Sequence, residues 1–90
     1  MILNGVKCDF CKDIIYSRAG HDMHWCSCGK TFVDGGLNYL RWGGQGQPVT
    51  IDLGYTLSEE DLYNDWAEGI DDYGYIAEED AWRYQIDKNS

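Results

Sequence analysis

The segment CDFCKDIIYSRAGHDMHWCSCG, residues 8–29, contains all four cysteines and both histidines of the chain. Two cysteines form a C-x-x-C pair, and after fourteen intervening residues the other two form a C-x-C pair followed by glycine. Structural zinc takes four ligands at tetrahedral corners, and two ligand pairs on neighbouring turns or strands supply them in a small domain. The spacing therefore predicts a structural Zn²⁺ site formed by Cys8, Cys11, Cys26 and Cys28.

The redox state of the compartment decides whether these cysteines bind metal, remain free thiols or form disulfides. The chain begins MILNGVKCDF, without an apolar run of signal-peptide length, and no stretch approaches the roughly 18 apolar residues of a membrane span. We therefore expect a cytoplasmic protein with reduced cysteines. Unligated thiols and disulfides stay as alternatives to the metal site.

The two histidines of the segment lie close to the second cysteine pair. If residues 24–28 are extended, His24 shares a face with Cys26 and Cys28, so it is a candidate substitute ligand or a hydrogen-bonding neighbour of the site. His21 and Asp22 resemble the metal-binding pair of some phosphohydrolases, but a catalytic zinc also needs an open position and a nearby base. We favour a role for this pair in shaping the loop, and we assign no catalytic residue.

Ninety residues are too few for two separate cores, so residues 1–90 are expected to form a single domain. Short apolar runs around the cysteines and the turn signal VDGG predict a zinc-ribbon-like β unit over residues 5–57. Residues 58–90 are expected to form an acidic helical segment packed on it. The expected fold class is α+β, with a zinc-stabilised, β-rich N-terminal half and one or two acidic C-terminal helices.

The first of these helices has a clear start signal. Ser58 is a suitable N-cap, and Asp61 occupies the acidic position of a capping box. Apolar residues then repeat every four positions along one face, at Leu62, Trp66 and Ile70. A second, shorter helix is expected from about Ala77 to Ile86, with Trp82 and Ile86 on one side.

The net charge of −9 arises entirely in the last third of the chain. Residues 1–57 contain five acidic and five basic residues, whereas residues 58–90 contain eleven acidic and two basic residues. An acidic chain repels phosphate backbones, because affinity for nucleic acid comes mainly from Lys and Arg. We therefore expect no direct nucleic-acid binding and no membrane binding.

The order of motifs resembles a group of small, uncharacterised phage and prophage proteins. The shared pattern is C-x-x-C, His-Asp, C-x-C-G, VDGG, YLR and a glycine, which fall here at Cys8, Cys11, His21, Asp22, Cys26, Cys28, Gly29, residues 33–36, residues 39–41 and Gly43. The resemblance covers about 40% of the chain and stops before the acidic third. It implies a phage setting, with the protein in the cytoplasm of an infected bacterial host, and a zinc-stabilised fold, but no activity.

The acidic third is either a solvated helical face over a core that Trp66, Ile70, Trp82 and Ile86 help to fill, or a protein-binding surface. Carboxylates on a rigid helix can imitate the phosphate spacing of nucleic acid, and aromatic side chains supply contact area. The candidate partner-binding residues are Glu59, Glu60, Asp61, Tyr63, Asp65, Glu68, Asp71, Asp72, Tyr73, Tyr75, Glu78, Glu79 and Asp80.

The leading hypothesis is a non-enzymatic, phage-type inhibitor that binds a basic surface of a host nucleic-acid enzyme or defence effector, acting as a nucleic-acid mimic. A zinc-ribbon adaptor or regulator in transcription or nucleic-acid handling is the first alternative, favoured if the basic residues of the first half share one face. A small metal-dependent hydrolase that uses His21 and Asp22 is the second alternative. The oligomeric state is left open.

Overall fold

The computed structural model describes residues 1–20, 22–36, 40–54 and 57–88. In these ranges the chain forms eight β-strands, one α-helix and one short 3₁₀ helix. The elements, in chain order, are β1 (Ile2–Cys8), β2 (Ile14–Ile15), β3 (His24–Trp25), β4 (Thr31–Gly35), β5 (Leu40–Gly44), β6 (Gly46–Asp52), α1 (Glu59–Ala67), β7 (Tyr75–Ile76), the 3₁₀ helix (Glu78–Arg83) and β8 (Gln85–Lys88).

The strands form two antiparallel sheets. The larger sheet has five strands in the order β7-β2-β1-β6-β8, and the smaller has three in the order β3-β4-β5. The longest pairing joins β1 to β6 over seven residues, from Ile2 opposite Asp52 to Cys8 opposite Gly46. This pairing places the first cysteine at the end of a central strand.

The five-stranded sheet is buried on both faces. Because side chains alternate along a strand, Leu3 and Val6 of β1 point to opposite sides of the sheet. Leu3 belongs to a core cluster that includes Leu62 of α1, as well as Ile14, Tyr16, Val49, Ile51 and Ile76. On the other face, Val6 packs with Ile15, Val33 and two of the cysteines, Cys8 and Cys26. The helix thus covers one face, and the smaller sheet with the cysteines covers the other.

Helix α1 begins where the sequence indicates. The Ser58 side chain accepts a hydrogen bond from the Asp61 amide, and the Asp61 carboxylate accepts one from the Ser58 amide. Gly69, just after the helix, has a φ of 69°, a left-handed conformation that favours glycine and ends helices. Leu62 is fully buried, whereas Ile70 lies beyond the helix and is exposed. Within the described ranges, no helix has both the length and the apolar character needed to cross a membrane.

The α+β prediction is wrong, because the protein is mostly β and its last third is not a helical layer. The second predicted helix, Ala77 to Ile86, is instead a 3₁₀ helix followed by β8, which pairs with β6. In the strand, Ile86 lies opposite Ile51 and packs against the core, while Trp82 stays 78% exposed. Hydrophobic periodicity over ten residues cannot distinguish a helix from a short strand. The strand forms because β8 supplies hydrogen-bond partners to the backbone of β6, which would otherwise be an unpaired edge.

The boundary predicted at residue 57 does not separate two structural units. Two strands from the acidic segment complete the sheet that β1 and β6 begin, since β7 pairs with β2 and β8 pairs with β6. Residues 58–88 therefore contribute edge strands as well as α1.

A tight corner connects the two sheets. Strand β5 ends at Gly44 and β6 begins at Gly46, so residues 43–48, GGQGQP, are mostly strand although their composition is typical of a loop. Gly44 has a φ of 93°, and a Cβ at this position would lie 2.0 Å from the Lys30 carbonyl oxygen. Only glycine fits this corner, which brings the smaller sheet and its cysteine turn against the end of β1.

Candidate metal centre

The first cysteine pair lies on the turn that follows β1. The Cys8 amide donates to the Asp13 carbonyl at 2.9 Å, and the Lys12 amide donates to the Cys8 carbonyl at 3.1 Å. Lys12 has a φ of 65°, which is uncommon for a residue with a side chain. These bonds fold the turn back, so that Cys11 returns towards Cys8.

The second pair lies on the turn between β3 and β4. The Cys26 amide donates to the Thr31 carbonyl at 2.9 Å, and the Gly29 amide donates to the Cys26 carbonyl at 3.0 Å. Gly29 has a φ of 75°, which explains why a glycine follows the C-x-C pair.

The two turns bring all four cysteines together, as the spacing predicted. Their Sγ atoms lie within 4.8 Å of one another, and the Cys8–Cys28 and Cys26–Cys28 Sγ distances are 3.4 and 3.5 Å. A tetrahedral site with metal–sulfur bonds of about 2.3 Å has sulfur–sulfur separations of about 3.8 Å. Cys8 and Cys26 are buried, Cys11 is half-buried and Cys28 is exposed. The cluster is therefore a candidate metal site at the edge of a core.

The thiols differ in acidity. Burial opposes ionisation of Cys8, but hydrogen bonds from surrounding groups, including Thr31 and the Phe10 amide, lower its pKa to about 6. Desolvation and the neighbouring cysteine sulfurs raise the pKa of Cys28 to about 11. Without a cation, a thiolate at one cysteine thus opposes ionisation of its neighbour. A divalent metal ion would remove this penalty, because it binds cysteine as thiolate.

A buried carboxylate links the second cysteine turn to β7 and the start of the 3₁₀ helix. Asp13 accepts a hydrogen bond from the Ser27 hydroxyl at 2.6 Å, one from the Tyr75 hydroxyl, and one from the Glu78 amide at 2.9 Å. Burial opposes the charge, but these bonds hold the Asp13 pKa below its usual range. No sequence pattern indicates this role, because Ser27 and Tyr75 are far from Asp13 along the chain.

The structure does not bring His24 into the cysteine cluster. Its Nδ1 lies 3.2 Å from an Asp22 carboxylate oxygen, and its Nε2 lies 2.8 Å from the Gly74 carbonyl oxygen. One residue, Trp25, lies between His24 and Cys26, so their Cα atoms are about 6.6 Å apart in extended backbone. The imidazole is turned towards Gly74. Both ring nitrogens are thus engaged with oxygen atoms of the protein.

Asp22 belongs to a buried ionic network centred on Arg18. The Arg18 guanidinium donates to Asp22 at 2.7 and 3.1 Å, to Asp65 at 2.6 Å and to Asp71 at 3.0 Å. Burial opposes the Asp22 charge, but hydrogen bonds from His24 and Arg18 hold its pKa well below the usual range. This placement gives Asp22 the loop-shaping role that the sequence favoured. His21, its partner in the hydrolase hypothesis, lies outside the described residues.

Most of the candidate partner-binding residues are on the surface. The exposed ones are Glu59, Glu60, Asp61, Tyr63, Glu68, Asp71, Asp72, Tyr73, Tyr75, Glu78 and Glu79. Asp80 is half-buried. Asp65 is only 3% exposed and faces Arg18, so its proposed place on the surface is wrong. The sequence assigned Ile70 and Trp82 to the core, yet they are 52% and 78% exposed and add apolar area to the acidic surface.

The fold and the cluster define a small, mostly β protein with four cysteines arranged as a candidate metal site. Residues 1–44 match a family model described as a domain of unknown function, DUF7695. The match spans β1 to β5 and includes all four cysteines, and it ends at the corner glycine, Gly44. No curated protein and no solved structure matches the chain.

Proposed function

We propose that the chain is a zinc-stabilised, non-enzymatic inhibitor of the phage type, which binds a basic surface of a host nucleic-acid enzyme or defence effector. The observation that carries this proposal is the exposure of aromatic and apolar side chains among carboxylates. Trp82 is 78% exposed and Tyr63 is 53% exposed, and both lie on elements that begin with acidic residues. Exposed aromatic residues supply binding energy, and the carboxylates select a basic partner.

The donors favour zinc as the metal. Four thiolates in a tetrahedral arrangement suit Zn²⁺, which has no redox chemistry and closes such sites structurally. In this protein the ion would hold the turns after β1 and β3 together. The phage setting is supported by the order of the sequence motifs, from C-x-x-C to the YLR segment.

The adaptor alternative requires a basic face, and two of the five basic residues of the first half contribute little to one. Arg18 is buried among carboxylates, and Arg41 donates to Asp34 at 2.6 Å. Lys7 and Lys12 line one groove together with Asp9. A nucleic-acid site needs several unpaired cations, and the burial of Arg18 and the pairing of Arg41 leave only the lysines for one, which weakens the adaptor alternative.

The hydrolase alternative requires an open metal position and a free base. Four thiolates complete a tetrahedral site and leave no position for a water molecule. The Asp22 carboxylate accepts hydrogen bonds from both the Arg18 side chain and the Arg18 amide, at 2.7 to 3.1 Å. The geometry thus supports a structural role for these residues.

A capture experiment from bacterial host lysate tests the proposal. The immobilised, zinc-loaded chain should retain a basic nucleic-acid-binding protein at about 50 mM salt and lose it at about 500 mM, because screening weakens charge pairing. A variant with Glu59→Gln, Glu60→Gln and Glu79→Gln should retain much less, whereas Asp9→Asn, an exposed carboxylate of the first half, should behave like the parent. The captured protein should also be displaced by an oligonucleotide. If no basic protein shows this salt and mutational pattern, the proposal is wrong.

A further inference from the structure

A cavity of about 530 Å³ opens beside α1, on the side away from the cysteine cluster. Its described lining combines apolar residues, two tyrosines and polar residues, namely Leu53, Leu57, Ile70, Tyr73, Tyr84, Asp61, Asn64, Asp65 and Asp72. The volume lies within the roughly 300–1,000 Å³ typical of ligand cavities. The inhibitor hypothesis assigned Asp72 and Tyr73 to a general acidic surface, but the fold places them at a specific concave site.

One wall of the cavity is held firmly. Leu57 and Tyr84 both pack against the core cluster around Leu62, so their positions are fixed by the fold. Ile70 follows the helix, and its amide donates to the Asp65 carbonyl at 3.0 Å. Its side chain is nevertheless 52% exposed. The cavity therefore offers an aliphatic and aromatic surface that a long side chain could cover.

The charge of the cavity is negative. Arg18 is the cation nearest to Asp65, but it already donates to three carboxylates, those of Asp22, Asp65 and Asp71. It leaves the charges of Asp61 and Asp72 without compensation from this network. The Asp72 amide donates to an Asp65 carboxylate oxygen at 2.9 Å, which fixes the backbone at Asp72, and the Asp72 side chain is exposed.

We propose that this cavity binds an arginine side chain presented by the protein partner. This inference rests on the proposed function and specifies one contact between the two proteins. The aliphatic part of the arginine would lie against Leu57 and Ile70. Its guanidinium would pack on the ring of Tyr73 and pair with Asp72. Arginine suits the site better than lysine, because its planar group stacks on aromatic rings and pairs with carboxylates through two hydrogen bonds.

Titration of the ¹⁵N-labelled, zinc-loaded chain with the peptide acetyl-Gly-Arg-Gly-amide tests the inference. Amide shifts should change at Ile70, Asp72 and Tyr73 and saturate at millimolar peptide. The peptide with citrulline in place of arginine has nearly the same shape without the charge, and it should bind at least about tenfold more weakly. Asp72→Asn should weaken binding of the arginine peptide about threefold to fivefold. Glu79→Gln, an exposed carboxylate outside the cavity lining, should bind as the parent does.

Several results would overturn the inference. These are the absence of saturable shifts with the arginine peptide, equal binding of the citrulline peptide, or unchanged affinity in Asp72→Asn. The spectrum of each free variant shows whether it is folded, and Ile70→Ser supplies a second variant that changes the apolar wall. If the peptide does not bind but lysate capture succeeds, only the arginine site is wrong. If the peptide binds but no basic partner is captured, only the inhibitor proposal is wrong.

Discussion

Arg18 donates to the Asp65 carboxylate at 2.6 Å and thereby ties the loop after β2 to helix α1, 47 residues further along the chain. Both side chains are buried, at 8% and 3% exposure. Asp65 also accepts hydrogen bonds from the amides of Asp72 and Tyr73. The Asp65 carboxylate thus connects α1 to the loop after β2 and to the cavity residues Asp72 and Tyr73.

Asp65→Asn should destabilise the protein strongly. The substitution removes a negative charge beside the buried Arg18 guanidinium. Breaking a buried ion pair lowers the unfolding free energy by about 3–5 kcal/mol. Urea unfolding of the zinc-loaded chain, followed by tryptophan fluorescence, measures the loss. Glu60→Gln, on the exposed face of the same helix, should change stability by less than about 0.5 kcal/mol. Similar losses in the two variants would show that Asp65 has no special role.

The contribution of Asp65 should also depend on pH. Burial opposes its charge, but the hydrogen bonds from Arg18 and two amides hold its pKa below the usual value. A carboxyl group whose pKa is lower in the folded state stabilises the protein above its unfolded pKa, about 3.9, and this stabilisation is lost as the pH falls further. The difference in unfolding free energy between the parent and Asp65→Asn should therefore become smaller as the pH falls from 6 to 3. A constant gap would contradict this assignment.

Gly44→Ala should disrupt the corner between β5 and β6. The new Cβ would lie 2.0 Å from the Lys30 carbonyl oxygen, at a φ of 93° that alanine rarely adopts. Strain and overpacking together predict a loss of about 2–4 kcal/mol in unfolding free energy. Gly20→Ala is the matched control, because its Cβ would meet nothing within 4 Å. Equal stability of the two variants would rule out the packing explanation.

Removal of the metal should unfold the cysteine turns. Binding energy at a structural metal site is folding energy, so chelation should abolish the near-ultraviolet circular dichroism of the smaller sheet, whose aromatic pair Trp25–Phe32 has ring centroids 5.0 Å apart. Cys8→Ser should have the same effect, whereas Ser27→Ala, between two ligands, should retain the metal. A chelated chain with an unchanged spectrum would show that the fold does not need the ion.

The cysteine set and the start of α1 could be predicted from sequence because their signals are local. C-x-x-C and C-x-C each lie on a single turn, and Ser58 with Asp61 forms a capping box within one helical turn. Neither signal depends on the rest of the fold.

The remaining features depend on contacts distant in sequence. Nothing near Arg18 indicates that Asp65 will meet it, and β8 is a strand because β6 lies beside it and Ile86 can reach Ile51. The acidity of residues 58–88 suggested a solvated helical layer, but short edge strands also tolerate charged residues. The position of the cavity lining, from Leu53 to Tyr84, could likewise be known only from the fold.

The metal content of the purified, reduced protein shows whether the four cysteines form a zinc site. Elemental analysis, combined with a count of free thiols after denaturation, should give one zinc ion per chain and four reduced cysteines, and Cys28→Ser should lower the zinc affinity. Less than about half a zinc ion per chain, with all four thiols intact and zinc present during expression, would contradict the metal site and with it the explanation of why these two turns meet.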